Sequence, residues 1–232
     1  LLEPFTNPKE TGRIAQHLED FWCLHAGMGA HPSVETDADR FHLGGYSKVQ
    51  PYYTRLVELH ALRDDVKPFI RAYFNALPSL LNTENLNIWE HFGNGGAWDK
   101  PHETGWFLAQ TRMMLVAERG AELWLAPFLT HHWMHEGQQV TVRNAPTQFG
   151  TVGYTIRSHA DKGNIEAEIL LPEPCRAAST IIRLRHPRGA QMASVYVNGT
   201  PYTDFDADRE CVFLPEAKGR IFVRAEYPET GE

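Results

Sequence analysis

At 232 residues, 42% hydrophobic and 22% charged, the chain has an ordinary globular composition, with room for one large domain or two modest ones. Its formal net charge of −7 and pI near 5.9 argue against nucleic acid or anionic lipid as a partner, because both call for a basic face. No apolar run reaches the roughly 18 residues that cross a bilayer, and a neutral substrate fits the charge balance.

The first residues, Leu1-Leu2-Glu3-Pro4-Phe5, read like the middle of a loop, so the chain is expected to be the C-terminal part of something longer. Ile14, Leu18, Phe21, Trp22 and His25 repeat at helical spacing and predict a helix over 9–26, ended by Gly27 and Gly29. Residues 27–49 form a long polar segment with Asp37, Asp39, Arg40, His42 and Tyr46. Loops of that length in compact domains tend to carry function. Pro51 opens a second predicted helix with Leu56, Leu59, His60 and Leu62 on its stripe. Asp64-Asp65 starts a third, whose stripe is Val66, Phe69, Ile70, Tyr73, Phe74 and Leu77. A fourth is predicted over 102–118, with Arg119-Gly120 closing it.

From about residue 121 the apolar period changes from helical to alternating. Val140 and Val142; Val152, Tyr154 and Ile156; Ile165, Ala167 and Ile169; and Ile182 and Leu184 each alternate with polar neighbours. Asn198-Gly199 between Val197 and Thr200 is a strong hairpin signal, because a type I′ turn needs positive φ at both central residues. In Ile221 to Tyr227 the odd positions form one apolar face. The expected architecture is α+β: helical hairpins over 1–120, followed by an antiparallel β-sandwich of seven or eight strands over 121–232.

The chemistry concentrates at the seam, residues 88–107. Glycoside cleavage commonly uses two carboxyl groups, one donating a proton and the other attacking or activating water. Glu90 precedes a glycine-rich turn and Glu103 opens the fourth predicted helix, so both are candidate catalytic residues. Trp89 and Trp98 offer flat faces for a pyranose; Trp22 and Trp106 are further aromatics, with Trp106 placed on an apolar stripe. His91, Asp99, His102 and Tyr46 complete the candidate substrate-binding set. Each has a structural alternative, since a glutamate in a first helical turn also serves the helix dipole.

Other chemistries find less support. His131-His132-Trp133-Met134-His135-Glu136 spells His-x-x-His-Glu rather than His-Glu-x-x-His, and reads as a polar turn more than a metal site. Cys23, Cys175 and Cys211 are widely spaced with no CxxC pair, and read as ordinary thiols rather than a Cys175–Cys211 bridge. There is no Gly-x-Ser-x-Gly elbow and no phosphate-binding glycine loop, so no cofactor is expected.

Pro101-His102-Glu103-Thr104-Gly105-Trp106-Phe107 is followed by Asn144-Ala145-Pro146-Thr147-Gln148-Phe149-Gly150, Ile182-Arg183-Leu184-Arg185-His186-Pro187 and Val195-Tyr196-Val197-Asn198-Gly199. In this order they resemble the C-terminal region of bacterial six-hairpin (α/α)6-barrel glycoside hydrolases, in which the later barrel hairpins run into a β-sandwich. The resemblance implies a partial α/α toroid and a glycoside hydrolase, or the C-terminal portion of one, acting on an oligosaccharide or polysaccharide outside the cytoplasm. About four of twelve barrel helices are present, so activity of this chain alone is not expected, and association with another chain or copy is. Two alternatives stay open. One is a polysaccharide lyase drawing on Tyr46, His42 and Arg40; the other is a non-catalytic carbohydrate-binding or scaffold fragment.

Overall fold

The computed structural model describes residues 56–90, 99 and 101–228. The predicted helix over 9–26, the polar segment 27–49 and the glycine-rich turn lie outside them. The chain divides into two compact units, 1–111 and 112–232.

In the first unit, α1 (Leu56–Arg63) and α2 (Val66–Leu80) are joined by Asp64 and Asp65. Asp64 takes positive φ, and the Asp65 amide donates to His60 O at 2.9 Å, which ends α1. Val57, Glu58, Leu59, His60 and Ala61 are all buried, while Leu62 next to them is exposed. α3 (Pro101–Leu115) follows. Tyr73 of α2 stacks on Phe107 of α3 with ring centroids 5.6 Å apart, and its hydroxyl meets Thr111 Oγ1. Because Thr111 donates its one proton to Phe107 O, the tyrosine is the donor of that bond.

Helix α3 stops at Leu115, three residues before the predicted end. Val116–Arg119 is already a strand, β1, hairpinned to β2 (Glu122–Leu125). The Leu115 carbonyl, free of any further helical turn, accepts from the Ala126 amide (2.8 Å) and from the Tyr154 hydroxyl (3.0 Å). Helical spacing carried through Met113, Met114 and Val116, but tertiary pairing of Val116 with Leu125 overrides it.

The second unit contains eleven strands among the described residues: β1, β2, β3 (Gln139–Thr147), β4 (Gly150–His159), β5 (Asn164–Leu170), β6 (Ser179–Arg183), β7 (Ser194–Val197), β8 (Thr200–Tyr202), β9 (Phe205–Asp206), β10 (Cys211–Pro215) and β11 (Arg220–Glu226). They form a five-stranded sheet in the order β1-β2-β6-β10-β9 and a six-stranded sheet in the order β3-β4-β5-β11-β7-β8. Pairing is antiparallel except between β2 and β6, which run parallel, a departure from the wholly antiparallel expectation. One apolar core draws on both sheets: Leu123, Leu125, Ile182, Val212 and Leu214 from the first, and Val152, Tyr154, Ile156, Ile165, Ile169 and Val223 from the second. The alternation of β11, and of β5 from Ile165 onward, follows from this, since period two sends every other side chain inward.

The predicted Asn-Gly hairpin is present. Asn198 has φ 50° and Gly199 φ 80°, with Val197 opposite Thr200. Asn144, also at positive φ, sits where the β3–β4 register shifts between Val142 and Ala145, a bulge absent from the expected pattern. Gly163 ends the short 3-10 turn Ala160–Lys162 at φ 72°, and its carbonyl accepts from the Tyr227 amide (2.8 Å). A Cβ there would lie 3.0 Å from Tyr227 O. Gly163→Ala is therefore expected to cost about 1–2 kcal/mol, read from the denaturant midpoint. Cys175 and Cys211 are free thiols.

The segments 144–150 and 182–187 supply hydrogen bonds that staple this unit together. Arg183 is 1% exposed and donates to Pro127 O and, from Nε, to Arg209 O at 3.0 Å. Arg185 donates to Leu129 O (2.8 Å) and to Glu210 (2.7 Å). His186 is buried against the Tyr227 ring, and burial holds its imidazole below the usual range. Gln148 reaches back to Gly120 O at 2.9 Å.

Glu210 is held by Arg185 on one oxygen and by His131 on the other, at 3.3 Å. Burial pushes its carboxyl upward, but the His131 hydrogen bond and the Arg185 charge outweigh burial, so it lies below its ordinary value of 4.5. A depressed carboxyl contributes stability above its unfolded value and loses it as pH falls through the folded one. Melting temperature should therefore drop as pH is lowered below about 4.5. Glu210→Gln should lower stability at neutral pH and flatten that acid limb, and an unchanged limb in thermal melts across the range would contradict the linkage.

Candidate active site

The candidate residues fall in the helical unit. Glu103 is in the first turn of α3 and is fully buried. Three, four and seven positions along a helix bring side chains round to nearly the same face. Glu103 thus shares the inward face of α3 with Phe107 and Gln110, and Gln110 is also fully buried. Thr111, next along that face, bonds Tyr73, whose own hydroxyl burial shifts upward despite the Thr111 bond. The Glu103 side chain is therefore withdrawn from solvent. His102 beside it is half-buried and Asp99 is exposed.

Glu90 is half-buried. After α2 the chain reverses through residues 82–87, where Asn82 N donates to Asn87 O and Leu86 takes positive φ. Leu81 then bridges Ile88, and the Trp89 amide donates to Leu80 O at 2.8 Å. This ties Trp89 and Glu90 to the end of α2. Trp89 is half-buried. His91, Trp98 and Tyr46 lie outside the described residues.

Two buried polar groups escaped the sequence reading. Glu58 (5% exposed) and Glu103 (0%) are the acidic side chains most withdrawn from water among the described residues of this unit. His60, read from sequence as part of an apolar stripe, is 3% exposed, with Nδ1 3.5 Å from Asp65 Oδ2. The same oxygen accepts from Arg63 Nε at 2.7 Å. Val57, Leu59 and Ala61 surround Glu58 in the sequence, but local sequence does not say that the helix face carrying a carboxylate is covered.

The His131–Glu136 run forms the 3-10 turn His131–Met134, capped by Thr130 Oγ1, which accepts from the His132 amide at 2.9 Å. His131 turns toward Glu210, while His132 and His135 meet edge to face. Among the described residues no group of three or more His, Cys, Asp or Glu side chains is placed to hold a metal ion.

No protein-family model matches the chain, and no curated protein does. Among solved structures it is similar to a glycoside hydrolase (12% identity, TM-score 0.39), over 75% of this chain and 32% of that one. It is likewise similar to a GH127 β-arabinofuranosidase (12% identity, TM-score 0.38), over 76% of this chain and 30% of that one. The chain thus spans about a third of the length of the solved proteins it resembles, and the likeness is a distant one.

Proposed function

We propose that the chain is the C-terminal portion of a glycoside hydrolase, its helices forming part of an α/α toroid and Glu90 and Glu103 supplying the paired carboxyl groups. Trp89, Trp98, His91, Asp99, His102 and Tyr46 provide the surrounding surface for the sugar. The observation that carries this reading is the burial of Glu103 in the first turn of α3, within the sequence Pro101 to Phe107. A carboxyl is costly to withdraw from water, and carboxyls in low-polarity surroundings are the groups that glycosidases use as proton donors.

In this mechanism one carboxyl protonates the leaving oxygen as the glycosidic bond breaks. The other either attacks the anomeric carbon or takes a proton from the attacking water. Aromatic faces hold the C–H side of the ring while His102 and Asp99 take up hydroxyl groups. The test is hydrolysis of 4-nitrophenyl glycosides and neutral polysaccharides by the full-length polypeptide, followed as released nitrophenol and reducing ends. Unsaturated products absorbing in the near ultraviolet would replace the hydrolase reading with a lyase, and intact substrate throughout would refute both.

A further inference from the structure

We propose that the outer face of the six-stranded sheet binds a neutral, hydroxyl-rich glycan chain, through residues other than the carboxyl pair. Strand register lays one row of side chains across all six strands: Gln139, Arg157, Glu166, Arg224, Tyr196 and Pro201. Beside this row stands Phe222, opposite Glu168 on β5. Arg157, Glu166, Arg224 and Tyr196 of this row, with Phe222 and Glu168, line a shallow hollow of about 450 Å³.

Three features of the hollow point to a ligand. Phe222 leaves half of its surface in water, an apolar ring set among charges. The Arg157 guanidinium is exposed and makes no hydrogen bond or ion pair among the described residues, and the Tyr196 hydroxyl likewise makes none. The remaining charges are oriented by one another: Arg224 pairs with Glu226 at 2.6 Å, and Arg220, at the rim, with Glu168 at 3.2 Å.

The charge balance selects the class of ligand. The lining holds Arg157 and Arg224 against Glu166, Glu168 and Glu226, and Arg220 at the rim only balances these charges, so phosphate- or uronate-rich chains meet no net positive charge. A neutral glycan meets what it needs: carboxylates accept from its hydroxyls, guanidinium groups donate to its oxygens, and Tyr196 and Phe222 take the apolar faces of its rings. The proposal borrows from the hydrolase reading only the choice of carbohydrate as ligand; its residues and its test are independent.

The test is affinity electrophoresis of the full chain through gels containing arabinoxylan, galactomannan or dextran, with polygalacturonate as the anionic comparison. At least one neutral polysaccharide should retard the protein. The Tyr196→Ala/Phe222→Ala double variant should raise the dissociation constant about tenfold or more, a loss of the size expected from removing ring contacts. Arg157→Gln, a change on the exposed surface, should weaken binding with an unaltered melting temperature. Glu103→Gln should bind as the wild type does, whatever it does to hydrolysis. Retardation by no neutral polysaccharide, retardation by polygalacturonate alone, or equal retardation of the wild type and these face variants would each overturn the proposal. Hydrolysis lost in Glu103→Gln would still stand in those cases, so the two readings fail separately.

Discussion

Replacing Glu103 by glutamine is expected to lower glycoside turnover by about 10²- to 10⁴-fold, the range set by loss of a positioned proton-transfer group. The amide keeps the volume of a side chain that is fully buried on α3, but it has no proton to exchange. In the proposed mechanism the two carboxyls divide one reaction, so Glu90→Gln should act similarly. Glu84, exposed in the turn that follows α2, provides the control, and Glu84→Gln should leave turnover unchanged. A structural role for Glu103 would appear instead as a fall in melting temperature with turnover per folded molecule preserved. Glu103→Asp separates these outcomes further. It keeps an acid but withdraws it by one methylene, so a catalytic role predicts residual activity with an altered pH profile. Turnover of Glu103→Gln within about threefold of wild type would remove Glu103 from the mechanism.

The largest expected loss of stability comes from Arg183→Met. The guanidinium is enclosed between strands, donating to Pro127 O and to Arg209 O. It also lies 5.5 Å from the centroid of the Trp124 ring, which Arg119 covers at 4.1 Å. Methionine fills much of the volume but leaves the buried Pro127 carbonyl without this donor and removes the bond to Arg209 O, which keeps the Cys211 thiol at 3.1 Å. An orphaned buried group costs about 1–3 kcal/mol and a lost hydrogen bond about 1 kcal/mol, so a total near 3 kcal/mol is expected. That corresponds to a melting temperature lower by about 6–12 °C for a chain of this size. Trp124, 3% exposed, supplies the readout, because its fluorescence reports the loosening directly. A variant melting within about 2 °C of wild type would show that the guanidinium is dispensable, since surface-like substitutions stay within roughly ±0.5 kcal/mol. Gln in place of Met restores partial donation and should recover part of the loss.

Both predictions concern residues that sequence places on an element without revealing their surroundings. Arg183 alternates with Ile182 and Leu184 and would be read as solvent-facing on a strand. It is buried because the outer face of the five-stranded sheet holds a second small core of Ala117, Trp124, Ile181 and Cys211. Glu103 is legible as a first-turn glutamate, and nothing local separates a dipole partner from a buried acid. Glu58 was missed for the same reason.

The local signals that sequence did determine are those in which each residue decides its own geometry. Asn198-Gly199 dictates a turn because both must reach positive φ; β5 and β11 alternate because a half-buried strand has period two; and Asp64-Asp65 separates α1 from α2. Tertiary structure alone decided the rest. It ended α3 at Leu115 by pairing Val116 with Leu125, made β2 and β6 parallel, and bulged β3 at Asn144. It also aligned Arg157, Glu166, Arg224 and Tyr196 from four strands into one row. Such features depend on partners distant in the chain, whose contact energy outweighs a local preference of a few tenths of a kcal/mol per residue.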